Sequence, residues 1–198
     1  FLRSASLLLV YSGFTALSAG YGEELLAVST IMMKLMLLYS YFIDGFAYAG
    51  EALTGRYVGA REINQLKKAI RVLFVWTFII AFISTIAYAF AGEPIFRLMT
   101  NNAEVLSAAK AYLPWLLAVP VLSCIAFILD GIFIGATASV AIRNTMLLSA
   151  ASFFVAFFLL EDVLALHALF LAYMVHLVVR TIMMSAQLKS QVLSKARG

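Results

Sequence analysis

The chain reads as an all-α integral membrane protein of six transmembrane helices, and three observations carry that reading. Its residues are 64% hydrophobic and only 12% charged, with a mean hydropathy of +1.00, far from the roughly half-apolar, quarter-charged norm of soluble domains. Its 198 residues hold six long apolar runs, each near the roughly 20 residues needed to cross about 30 Å of hydrocarbon. Glycines, prolines and asparagines punctuate those runs where connections belong.

The pattern predicts a first helix over about 4–20, closed by Gly20 and Gly22, and a second over 24–53, closed by Gly55 and Gly59. A third runs over 68–91 and stops at Gly92 and Pro94. Asn101 and Asn102 precede a fourth over 106–136, which carries Pro114 and Pro120 inside it; membrane helices tolerate such prolines because neighbours satisfy the freed carbonyls. A fifth over 139–160 and a sixth over 163–187 complete the set, and 188–198 forms a basic cytoplasmic tail. The first residue is Phe1 and the chain is apolar by Leu7, which predicts a piece of a longer protein. The single cysteine, Cys124, lies in an apolar run and excludes a disulfide framework.

Charge fixes an orientation. With six spans, one side of the membrane receives Arg3, the Arg56 to Arg71 cluster, Arg143, Arg180, Lys189, Lys195 and Arg197, while the other receives Glu23, Glu24, Glu93, Glu104, Glu161 and Asp162 with only Arg97 and Lys110. Basic residues mark the inside, so both termini are expected in the cytoplasm of a multi-pass protein of the cell membrane. The net charge of +4 is then an anchor near anionic headgroups of the bilayer, and nucleic acid is not expected as a partner.

The second helix concentrates the chemistry. At 100° per residue Lys34, Tyr41, Asp44, Tyr48, Glu51 and Gly55 fall within an arc of about 100°, a polar stripe on an otherwise apolar rod. Ionised groups at mid-bilayer cost roughly 2.5–3.5 kcal/mol on insertion scales, so such a stripe faces a wet cavity or a partner. Asp44 lies near mid-depth, able to take a proton or to accept a hydrogen bond from Tyr41 or Tyr48; it reads equally as a structural carboxyl. Lys34 lies about 15 Å away along the helix, too far to pair with it directly. Glu51 reads as a partner of Arg56 or another basic residue of the following connection, or else, with Arg56 and Arg61, as part of an inner gate. Asp130 precedes Gly131 and Gly135, a GxxxG spacing for a close helix crossing, and its carboxyl either bonds across that contact or reaches the cavity of Asp44. His176 reads as a neutral packing residue. No HExxH, CxxC, GxSxG or P-loop pattern is present, so neither an enzyme nor a cofactor is expected, and no metal site.

At IDGFAYAGEALTGRYVGARE (Ile43 to Glu62) the chain resembles the second helix and following cytoplasmic loop in the C-terminal lobe of multidrug and toxic compound extrusion (MATE) transporters, in their DinF-like branch. LDGIFIGAT (Leu129 to Thr137) with Arg143 and Asn144, AGEPIFRLMT (Ala91 to Thr100) and HALFLAYMVHLVVR (His167 to Arg180) extend the likeness in family order. The resemblance implies one six-helix lobe of a twelve-helix exporter, whose N-terminal lobe is the missing partner. It implies efflux of cationic or amphipathic small molecules coupled to Na⁺ or H⁺ by alternating access. One branch of the family couples through acids on the first and fourth helices of this lobe; here the first helix has none and Asp130 is displaced by about a turn. In the DinF-like branch the coupling carboxylate belongs to the other lobe. Two rivals remain: a lipid-linked oligosaccharide flippase of the same superfamily, for which Lys34 is the only support, and a non-transporting membrane scaffold or subunit.

Overall fold

The computed structural model describes residues 2–197. They form six α-helices: α1 (Leu2–Ser18), α2 (Glu23–Gly59), α3 (Ile63–Met99), α4 (Ala103–Gly135), α5 (Ser139–Leu164) and α6 (Leu166–Gln191). Five of them, α2 to α6, are long and apolar enough to cross a membrane, while α1 covers 17 residues. The chain is therefore an all-helical, multi-pass membrane protein.

Burial sorts the helices into an inside and an outside. In the most hydrophobic stretch, 67% of α4 is buried and 56% of α2, against 22% for α3 and for α5. The exposed faces of α3 and α5 are lined by Trp76, Phe82, Phe90, Leu148 and Phe158. These faces suit lipid, because hydrocarbon rewards no segregation of apolar side chains to the interior. Methionines fill irregular gaps in the core, with Met32, Met36, Met146 and Met184 all buried. Tyr39 and Tyr88 are buried too, each with its hydroxyl donating to a backbone carbonyl, of Pro120 at 3.1 Å and of Leu35 at 2.6 Å.

The tightest crossing is between α2 and α4. A Cβ on Gly131 would collide with the Ala47 carbonyl, and one on Gly135 with the Glu51 carbonyl, so the GxxxG spacing lets one backbone lie directly on the other. This crossing lies just beneath Asp44 and Asp130 and fixes their separation.

Several helices outrun the expected boundaries. Gly55 does not end α2; it lies inside the helix, where a Cβ would stand 3.5 Å from the Gly135 carbonyl, an ordinary contact. The helix ends at Gly59 and is closed by a turn through Arg61, in the left-handed region at φ 56°, where Glu62 N–H reaches the Tyr57 carbonyl at 2.9 Å and Arg61 N–H the Val58 carbonyl at 3.2 Å. Likewise α3 continues through Pro94 to Met99, which brings Glu93 within 2.9 Å of Arg97 and 3.4 Å of Lys110 on α4. The basic segment 188–198 is partly docked: Val192 and Ala196 are buried, and Lys195 Nζ donates to the Ala136 carbonyl at 2.8 Å, beside the end of α4.

The crossing generates a test. Replacing Gly131 by Val should destabilise the folded protein by about 1–3 kcal/mol, the usual penalty of overpacking, seen as a lower thermal midpoint in detergent. Gly45→Ala, at a helical position with open space around it, should be neutral or slightly stabilising.

Candidate functional site

Asp130 is buried on α4, and two guanidinium groups converge on its Oδ2. Arg180 Nη2, from a side chain only 1% exposed on α6, is in direct contact with it, and Arg3 Nη2, from a half-exposed side chain on α1, lies at 3.0 Å. Three helices are thereby tied at one carboxylate. Arg180 also stands over the Phe127 ring, 5.3 Å from its centroid, so its apolar plane and its charge are both accommodated. Removing two charges from water is costly unless the geometry returns the loss through attraction and hydrogen bonding, and a second guanidinium on the same oxygen adds to that return.

Arg180 corrects the charge count made on the sequence. Its place near the end of an apolar run puts it among the basic anchors, whereas the structure turns it inward to Asp130. Its position is the reason: α6 packs against α4 along the face that carries Arg180, Tyr173 and His176, all buried. Neither Arg180 nor Arg3 is singled out by sequence motifs. A buried acid on a neighbouring span that needs a counter-charge was the available signal.

Beside this cluster is a cleft of about 180 Å³, lined by Arg3, Asp44, Tyr48, Glu51, Asp130 and Ile134 among others. Asp44 is half-buried there and makes no ion pair among the described residues. The cleft thus holds two unlike carboxyls: Asp130, bound by two arginines, and Asp44, with its oxygens free. Glu51 borders the same space. It does not pair with Arg56, because five residues along a continuous helix turn the two side chains to different faces; Arg56 is exposed and lies 5.7 Å from the Tyr57 ring centroid. Arg61 is exposed in the α2–α3 turn, away from the cleft.

The stripe itself is only partly gathered. Tyr48 lines the cleft, but neither it nor Tyr41 donates a hydrogen bond to Asp44 among the described residues, and both are 70% exposed. Lys34 is exposed farther along the same helix. A second groove, of about 510 Å³, separates α1 from α2 there and carries Tyr11, Ser12 and Thr15 with Met33 and Leu37. Its α1 hydroxyls went unmarked in the sequence, since scattered serine and threonine carry no pattern.

His176 is buried, its ring stacked near Tyr173 at 6.1 Å between centroids, and its Nδ1 has no hydrogen-bond partner among the described residues. His167 stands at the start of α6, where its Nδ1 accepts from Trp115 Nε1 at 3.0 Å and its ring lies on Tyr112 at 4.5 Å. Among the described residues no group of three or more His, Cys, Asp or Glu is placed to hold a metal ion.

The geometry is that of a membrane-embedded polar cleft on a helical bundle, and known proteins share the sequence that builds it. The family model described as MatE matches residues 2–160. This chain belongs to the MatE family. The DNA damage-inducible protein F of Escherichia coli (strain K12) is 37% identical to it over 185 residues, which is 93% of this chain and 40% of that relative, and places the MatE chain in the DinF-like branch. The chain therefore spans less than half the length of that relative. No solved structure matches it significantly.

Unequal support for the two arginines is measurable. Arg180→Met leaves Asp130 buried with one partly exposed partner and should cost about 3–5 kcal/mol, whereas Arg3→Met should cost about 1 kcal/mol or less. Replacing Asp130 by Leu in the Arg180→Met background should recover most of the loss, as unfolding in detergent would show.

Proposed function

We propose that this chain is the C-terminal six-helix half of an exporter that couples the outward movement of cationic or amphipathic small molecules to entry of Na⁺ or H⁺. In this reading both ends of the segment are cytoplasmic, α1 serves as its sixth span, and a companion six-helix lobe covers the face that bears Tyr41 and Tyr48. The observation that carries the proposal is Asp44: a carboxyl without an ion pair, half-buried in a spanning helix, in a cleft whose rim is exposed. A carboxyl so placed has free lone pairs for a proton or a cation, and a change in its charge alters the balance of attraction on Arg3. That alteration gives the ion a differential interaction with two arrangements of α1, which is what any ion-driven conformational change requires.

The charge of the cleft favours cationic cargo. Asp44, Glu51 and Asp130 face one another with Arg3, and Arg180 behind, so carboxylates outnumber guanidiniums. A flippase for anionic lipid-linked sugars needs the opposite balance, and Lys34 stands outside this cleft. The non-transporting scaffold is addressed by function: the full-length protein in proteoliposomes should show ion-dependent flux, and a scaffold should show none.

For the site itself the decisive variant is Asp44→Asn in the full-length transporter. It should abolish drug efflux while membrane abundance stays at the wild-type level. Loss of insertion with efflux lost in proportion would assign Asp44 a structural part instead.

A further inference from the structure

Arg3 borders two spaces. On one side is the polar cleft; on the other is a crevice of about 440 Å³ between the start of α1 and the α4–α5 turn, walled by Leu2, Ile134, Val140 and Ile142, with Arg3 and Arg143 at its polar edge. No carboxylate lines it. Arg143 is exposed, and among the described residues its guanidinium is held only by the neighbouring Asn144, at 3.0 and 3.1 Å. Arg3 spends Nη2 on Asp130, while its buried Nε has no acceptor among the described residues. The first turn of α5 begins at the same place without a side-chain cap, so its backbone N–H groups add positive potential to that of the two arginines. Val140 is 61% exposed, which leaves the apolar wall open sideways.

We infer that this crevice is a binding site for an anionic phospholipid, with the phosphate between Arg3 and Arg143 and one acyl chain along Leu2, Ile134, Val140 and Ile142. The chemistry selects the class. Two guanidiniums with unspent donors and uncapped amides match phosphate oxygens. An adjoining apolar trough at the edge of a membrane-spanning bundle matches an alkyl chain rather than a soluble anion. The site has a consequence for the cleft, because a phosphate that engages the half-exposed end of the Arg3 guanidinium competes with Asp130 for it. Asp130 keeps Arg180 when that happens, so the lipid can draw Arg3 aside without leaving a buried charge bare. An anionic lipid thereby biases the position of α1 and the field at Asp44.

The inference rests on the proposed function for one point only, the leaflet that supplies the lipid, which is the cytoplasmic one if the basic end faces inward. The test removes that dependence. The full-length protein is placed in nanodiscs of phosphatidylcholine containing a phosphatidylglycerol probe with a photoreactive acyl chain, present in both leaflets. Labelled residues are then mapped by mass spectrometry. The expected result is label on Val140 and Ile142, and a loss of about fivefold in Arg143→Gln, the effect of one basic residue on an anionic lipid. Arg143 makes no buried ion pair, so this variant keeps its fold. Equal label from a photoreactive phosphatidylcholine would overturn the inference, as would displacement of the probe by glycerol phosphate alone, or protection of the crevice by another part of the full-length chain. Failure of Asp44→Asn to impair efflux would leave the labelling result intact, so the two proposals fall separately.

Discussion

A carboxylate cannot sit in the middle of an apolar bundle unless something answers its charge, and in this protein Arg180 answers Asp130. Both side chains are almost fully withdrawn from solvent, and the same oxygen also receives Arg3. The consequence is architectural. The contact joins α4, near its C-terminal end, to α6, and ties the first turn of α1 to them through a half-exposed arginine. The glycine-mediated crossing of α2 on α4 then sets Asp44 opposite this group of one carboxylate and two guanidiniums, at a separation the backbones enforce.

From that constraint follows a division of roles between two chemically identical groups. Asp130 is held at Oδ2 by two guanidiniums, while its buried Oδ1 has no partner among the described residues. Asp44 shares its cleft but not its partners, so it is the carboxyl with coordination to spare. Arg3 stands between them, partly exposed, and is the mobile member of the cluster by geometry: it can leave Asp130 at modest cost because Arg180 remains. In the proposed function, the charge of Asp44 biases where Arg3 rests, which is the kind of local electrostatic change an ion-driven switch uses.

Much of the fold was legible in the sequence because hydrocarbon imposes a blunt rule, about 20 apolar residues per span. The polar stripe of α2 was legible by helical periodicity, and the Gly131 to Gly135 spacing foretold a close crossing that the structure contains. Helix ends were less legible. Gly55 and Pro94 look like terminators but lie inside helices: a single glycine does not break α2, and α3 runs on to Met99 beside Lys110. Least legible were the partners of Asp130. Periodicity places side chains on their own helix, not against the neighbour, and the pairing of Arg180 and Arg3 with Asp130 spans 50 and 127 residues. Nothing local to either arginine announces it.

The account turns on whether the face bearing Tyr41, Asp44 and Tyr48 meets water. Tyr48 and Phe82 are similarly exposed on the bundle, at 70% and 66%, yet the first is assigned to a hydrated cleft and the second to lipid. In the full-length protein with its native cysteines, Cys124 among them, replaced by Ser, single cysteines at these two positions can be treated in intact membranes with a membrane-impermeant maleimide. The account predicts that Tyr48→Cys reacts and Phe82→Cys does not; a Tyr48→Cys as inert as Phe82→Cys in every transport condition would contradict it.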